Sequence, residues 1–151
     1  MSHAVSTNPK HCKVFLLGTS ALVCLALAAP VMAADFVITE SDDSTNGKGT
    51  KDGGTAAAIA DTAIDGSDTV SLGIALTTGT NNRGIQTSND GNAITVTEAG
   101  SISTTGGGYG IYNEGSGNTT TISGSISITG SRGGVFYYGD DNTTTMSGSI
   151  S

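Results

Sequence analysis

Histidine and cysteine carry most acid–base, nucleophilic and zinc chemistry, and this chain holds them only as His3, His11, Cys12 and Cys24. All four lie near the start of a 151-residue chain. Everything after Cys24 therefore lacks the parts for a Ser-His-Asp triad, a Cys-His pair or a histidine zinc site. Oxygen chemistry remains. Asp140-Asp141 has the composition of a carboxylate pair for glycoside cleavage. Adjacent acids on a turn point apart, however, so the pair reads as solvated corner residues. Asp42-Asp43 and Asp140-Asp141 are also hard oxygen ligands of the kind calcium takes, but the nonapeptide GGxGxD repeat is absent. Gly106-Gly107-Gly108-Tyr109-Gly110 is rich enough in glycine to approach a phosphate, yet no Gly-Lys-Ser/Thr follows it and no strand–loop–helix surrounds it. It reads as a tight corner. No catalytic, cofactor-binding or metal-ligating residue is assigned.

Two further patterns have possible surface roles. Thr119 to Thr121 and Thr143 to Thr145 are threonine runs, which on a flat solenoid face can organise water as ice-binding proteins do. The matching stretch Ala93-Ile94-Thr95 interrupts that pattern. Asn118-Thr-Thr and Asn142-Thr-Thr match the glycosylation sequon, although a structural asparagine column accounts for both.

The elements that would position these residues are set by a repeat. NTTTISGSIS at 118–127 returns as NTTTMSGSIS at 142–151, 24 residues later. Gly-Ser-Ile-Ser begins at Gly100, Gly124 and Gly148. A second marker, Gly followed by Ile or Val with Asn eight positions after the Gly, runs Gly84 to Asn92, Gly110 to Asn118 and Gly134 to Asn142. Asp68 precedes Asn92 by 24 residues and marks a fainter unit. One interval is 26, and its two extra residues fit at Thr97 to Ala99. A period in the twenties is the signature of a solenoid.

Within each unit, apolar residues alternate. Val70, Leu72, Ile74 and Leu76 hold every second place, as do Ile122, Gly124, Ile126 and Ile128, with Ser between the latter four. That is strand patterning with one dry face. Asn81-Asn82-Arg83-Gly84, Asn89-Asp90-Gly91-Asn92, Glu114 to Asn118 and Gly139 to Asn142 mark corners, because Gly, Asn and Asp accept positive φ. Ala56 to Ala63 leaves room for one short helix at most. The predicted fold is all-β: a right-handed parallel β-helix of roughly 24-residue turns. Its ladders would be Ile102/Ile126/Ile150, Ile85/Ile111/Val135 and Asn92/Asn118/Asn142, with Tyr112 stacked on Phe136.

Residues 1–33 have a different pattern. Lys10 and Lys13 precede an apolar run from Val14 to Ala29, and small residues follow Pro30, placing cleavage after Ala33. This is the pattern of a secretory signal peptide; a membrane span needs about 20 apolar residues. Past Ala33 the chain has all thirteen acidic residues and only Lys48, Lys51, Arg83 and Arg132 as cations. So acidic a chain, with four scattered cations, makes a poor binder of nucleic acid or anionic membranes, and no nucleic-acid partner is expected. Without cysteine it also excludes disulfide staples, so stability has to come from stacking.

The signal ending VMAADFVI, the loose Asp/Ser/Thr/Gly leader and turns such as GIYNEGSGNTTTISGSISITG resemble the N-terminal passenger regions of Gram-negative autotransporters. The resemblance implies a secreted or surface-displayed β-helix at the outer membrane, followed by a C-terminal barrel and engaging a host-surface or glycan ligand. No barrel is present, since one needs at least eight strands of about 9–11 residues. The sequence stops inside a repeat, which reads as truncation before the barrel and predicts self-association through an open end. Trimeric adhesins compete through Asp68-Thr-Val-Ser-Leu-Gly, but their short head repeats give no 24-residue period. β-helix lyases and hydrolases remain a separate class on fold analogy. The expected organisation is a signal peptide over 1–33, a flexible leader with a capping strand, Phe36 to Thr39, over 34–52, and roughly four β-helical turns over 53–151. Adhesion or structural display is the expected role.

Overall fold

The computed structural model describes residues 13–17, 21–25, 32–60 and 62–151. The chain divides into two units, Met1–Met32 and Ala33–Ser151. In the first, β1 (Lys13–Leu17) and β2 (Ala21–Leu25) pair antiparallel. The rest of the expected signal segment up to Val31, including the start of its cleavage motif, lies outside the described residues. No helix among the described residues is long and apolar enough to cross a membrane.

The second unit is a β-solenoid. It opens with β3 (Asp35–Glu40), β4 (Lys48–Lys51) and β5 (Ala57–Ala58). Three turns follow: β6 (Thr69–Leu72), β7 (Ala75–Thr78) and β8 (Ile85–Thr87); β9 (Ala93–Val96), β10 (Ser101–Gly106) and β11 (Ile111–Glu114); β12 (Thr119–Ile122), β13 (Ser125–Gly130) and β14 (Val135–Tyr138). β15 (Thr143–Met146) and β16 (Ser149–Ile150) begin a further turn. Equivalent strands of successive turns pair in parallel, giving three sheets ordered β15-β12-β9-β6-β3-β4-β5, β16-β13-β10-β7 and β14-β11-β8.

The register reproduces the repeat. Ile102 pairs with Ile126 and Ile126 with Ile150 in the second sheet, with Leu76 extending the column below. Ile85, Ile111 and Val135 align in the third. Three strands per turn, each contributing one or two inward aliphatic residues, enclose one narrow core. The second turn has only Ile94, Val96, Ile102 and Ile111 to bury. At roughly 1.5–3 kcal/mol each, these are too few to order a turn without neighbours above and below.

The 26-residue interval has a local cause. β6 and β7 are separated by Gly73-Ile74, and β12 and β13 by Ser123-Gly124, whereas β9 and β10 are separated by Thr97 to Gly100. The Gly100 N–H donates to the Thr97 carbonyl at 2.9 Å, closing a turn that absorbs the extra residues without shifting a strand. The glycine of the second marker is dictated by a different crowding. A Cβ at Gly110 would stand 2.4 Å from Ile126 Cγ2, and one at Gly84 would stand 2.3 Å from Ile102 Cγ2. There the third sheet passes so close to the second that only glycine fits.

Two features differ from the sequence expectation. The leader contributes more than one strand to the stack. β3 pairs with β6, Ser41 exchanges hydrogen bonds with Thr77, and Asn46 donates to the Gln86 carbonyl while its Oδ1 accepts from the Gln86 N–H. The leader thereby covers the first turn's edge of all three sheets. Fewer turns follow than the four expected, about three. Among the described residues of 53–68 there are only the short antiparallel β5 and turns, and parallel stacking of whole turns starts at Thr69. Among the described residues there is no helix; Ala57–Ala58 form β5 and Thr62 and Ala63 lie in a turn.

Candidate functional site

The corners come first, because the acidic candidates sit there. Ser67, Gly91, Gly117 and Asp141 fall at equivalent places and all take positive φ, 56°, 76°, 69° and 56°. Asp141 thus stands where two other turns use glycine. Asp140 is held by its neighbours: its N–H donates to Ser116 Oγ at 3.1 Å, and its carbonyl accepts from Gly117 N–H at 3.0 Å. Both acids are exposed, as corner residues should be. Asp42 accepts from the Ser44 hydroxyl, which holds its carboxyl below the usual carboxylate value; burial opposes this, and the Ser44 N–H and Lys48 reinforce it. Among the described residues no group of three or more His, Cys, Asp or Glu side chains is placed to hold a metal ion.

The asparagine column runs the length of the stack by a mechanism the spacing alone does not reveal. Each Oδ1 accepts from the main-chain N–H one turn earlier: Asp68 from Ala34, Asn92 from Asp68, Asn118 from Asn92, and Asn142 from Asn118, at 2.6 to 3.0 Å. The Asn118 Nδ2 donates within its own turn, to the Glu114 and Gly115 carbonyls. The axial bond therefore runs from a main-chain N–H to a side-chain oxygen; the Asn118 amide closes its own corner, while the Asn142 amide donates both to its own Gly139 carbonyl and to the Gly115 carbonyl one turn earlier. The core also contains a polar thread that strand alternation does not announce. Thr87 donates to Asn113 Oδ1, and Asn113 Nδ2 donates to Thr120 Oγ1, each at 3.0 Å. Thr104 Oγ1 is buried without a hydrogen-bond partner.

The outward faces of the three sheets differ. The first presents Thr69/Ala93/Thr119/Thr143 and Ser71/Thr95/Thr121/Thr145 in two columns, with Ile94 and Thr120 turned inward. The second presents Ala75/Ser101/Ser125/Ser149 and Thr77/Ser103/Ser127. The third is aromatic and carries charge of both signs. Gln86, itself buried, Tyr112 and Phe136 align there, the last two rings stacked at 5.3 Å and 11°, and Glu114 pairs with Tyr138 on the same side. Tyr109, from the glycine-rich corner, completes a three-ring cluster at 5.6 Å from Tyr112 and 4.8 Å from Phe136. Arg83 lies 3.9 Å above the Tyr112 ring and donates to Gln86 Oε1 at 2.6 Å. Arg132 lies 5.0 Å from the Tyr109 ring and donates to its hydroxyl at 2.9 Å. Burial, reinforced by Glu114, pushes the Tyr112 phenol above its usual pKa, with Arg83 opposing.

These groups border a cleft of about 320 Å3 lined by Asn81, Arg83, Gly107, Tyr109 and Arg132. The glycine-rich corner is one wall of it. The Gly107 N–H donates to Asn81 Oδ1 at 2.8 Å, and a Cβ at Gly108 would overlap the Asn82 carbonyl at 1.8 Å. The sequence pointed to the Tyr112–Phe136 stack and to the corner, but not to their meeting with both arginines. Arg83 and Arg132 belong to no repeated column, and only the corner geometry of separate turns brings them together.

The fold and these faces define a β-solenoid with one chemically distinct outer face. No protein-family model matches the chain, and neither a curated protein nor a solved structure does.

Proposed function

We propose that the chain is an exported, surface-displayed passenger of autotransporter type, non-catalytic and adhesive or structural in role. The observation that carries this reading is a solenoid whose outer faces are mostly Ser and Thr, preceded by a cationic start and an apolar run ending in small residues. Such a scaffold is long relative to its core and exposes repeated surfaces for contact. Within that reading the aromatic–arginine face is the place to meet a host-surface or glycan ligand. Expression of the full chain in a Gram-negative host, followed by mass spectrometry of exported material, tests the export step. Ala34 as the new N-terminus is expected; a retained Met1 on membrane-bound protein contradicts it.

One observation favours a second reading. The outward Thr and Ser of the first sheet's full turns form two columns broken at Ala93 and ending at Asp35 and Val37 of β3, an arrangement that lets a flat solenoid face organise water. Thermal hysteresis in a freezing assay supports that role, and its absence removes it.

A further inference from the structure

We propose that the cleft on the third face binds an acidic saccharide, with Arg83 and Arg132 holding a carboxylate and Tyr109 lining the wall beside the sugar. This deepens the adhesive reading above and rests on it for the class of ligand, but its test is independent of export.

The argument begins with charge. The chain has a net charge of −7 and only two arginines, and both border one cleft. Neither forms an ion pair: among the described residues the single salt bridge is Lys48–Glu40, elsewhere on the molecule. Arg83 is engaged by a ring face and one neutral amide oxygen, and Arg132 by a ring and a phenol. Such contacts orient a guanidinium and leave other N–H groups free, which suits bidentate capture of a carboxylate.

The second element is shape. Asn81 and Arg83 come from the first turn, Gly107 and Tyr109 from the second, and Arg132 from the third. Parallel turns stack about 4.8 Å apart, so the cleft spans two steps of the stack and accommodates a short extended chain better than a lone ion. Asn81 adds a side-chain amide on the wall, and Tyr109, its ring packed against Phe136 and contacted by Arg132, adds aromatic surface beside those polar groups. That mixture of a ring, an amide and a cation fits a sugar acid; a simple anion would have no use for the ring.

The test is calorimetric titration of the full-length chain with trigalacturonate, with its methyl ester, and with inorganic sulfate. Trigalacturonate should bind, while the ester and sulfate should bind at least about tenfold more weakly, the loss expected on removing a charge-assisted contact. Arg132→Gln and Arg83→Gln should each weaken trigalacturonate by a similar factor, with thermal melts confirming that the variants fold. Arg132→Lys should retain part of the affinity, because charge remains while the fork is lost. Equal binding of acid and ester would overturn carboxylate recognition. Equal binding of sulfate would reduce the site to a general anion patch and overturn the saccharide. No binding of trigalacturonate by the folded chain overturns the proposal outright and leaves the export reading to its own test.

Discussion

Inward and outward residues of the third sheet obey different rules. Inward, Ile85, Ile111 and Val135 are near-copies, each lying over the last. Outward, Gln86, Tyr112 and Phe136 differ at every step, and the corner beside them adds Tyr109, Arg83 and Arg132. Repetition inside is what a stack with no disulfide requires, since each turn is stable only against a copy of itself. A position free of that demand is free to vary. The place where the outer surface departs from Ser and Thr is therefore where a ligand site can be built without cost to the scaffold.

The largest expected effect tests the inside. Ile126 is fully buried between Ile102 and Ile150 in register, so Ile126→Asp places an unpaired charge in the column. It should destabilise by more than about 4 kcal/mol and abolish the cooperative melt. Ser125→Asp, one residue away on the outer surface, should cost under about 1 kcal/mol. Equal sensitivity at the two positions would erase the distinction between the faces.

Asn118→Ala comes next. It removes the acceptor for the buried Asn92 N–H and two donors to its own corner. A buried N–H left unpaired costs about 1–3 kcal/mol, which urea denaturation would register. Thr104→Val should act in the opposite direction. The Thr104 hydroxyl is buried and unpartnered, so a valine of nearly the same shape should raise stability by about 1 kcal/mol. A loss would mean that the hydroxyl has a partner, such as a bound water.

The smallest effect belongs to the outer face. Tyr112 has a pKa raised chiefly by burial. Its contribution is present below the ordinary tyrosine value of about 10 and is lost as pH rises through the higher folded value. Tyr112→Phe should make the melting temperature less sensitive to alkali over that window. An unchanged alkaline profile would show that the ring cluster is less enclosed than described.

How much of this was legible in the sequence follows from the same division. Ile102/Ile126/Ile150, Tyr112 over Phe136, the column Asn92/Asn118/Asn142 and the insertion at Thr97 to Ala99 were all readable, because stacking forces equal residues to equal places; Asp68 was readable as the start of a fainter unit, and the structure adds it to that column. The leader's cap was less so: Ser41 and Asn46 reach Thr77 and Gln86 through paired hydrogen bonds that no repeat announces. The thread Thr87–Asn113–Thr120 was hidden for a related reason. Alternation marks a polar residue as outward, and only the paired geometry shows that these three satisfy one another inside. The cleft was least legible, since it joins residues from three turns at their corners.

All of these placements depend on one parallel register, so the most direct test measures it. Ser103 and Ser127 are paired partners on the outer face of the second sheet. With Cys12 and Cys24 replaced by serine, cysteines at 103 and 127 would carry spin labels on backbones about 4.8 Å apart. Strong spin–spin broadening is predicted for the Ser103→Cys/Ser127→Cys pair and markedly weaker broadening for Ser103→Cys/Thr121→Cys, whose second label sits on a different sheet. Comparable spectra from the two pairs, or no broadening in the first, would contradict the stacked register and with it the face that carries the arginines.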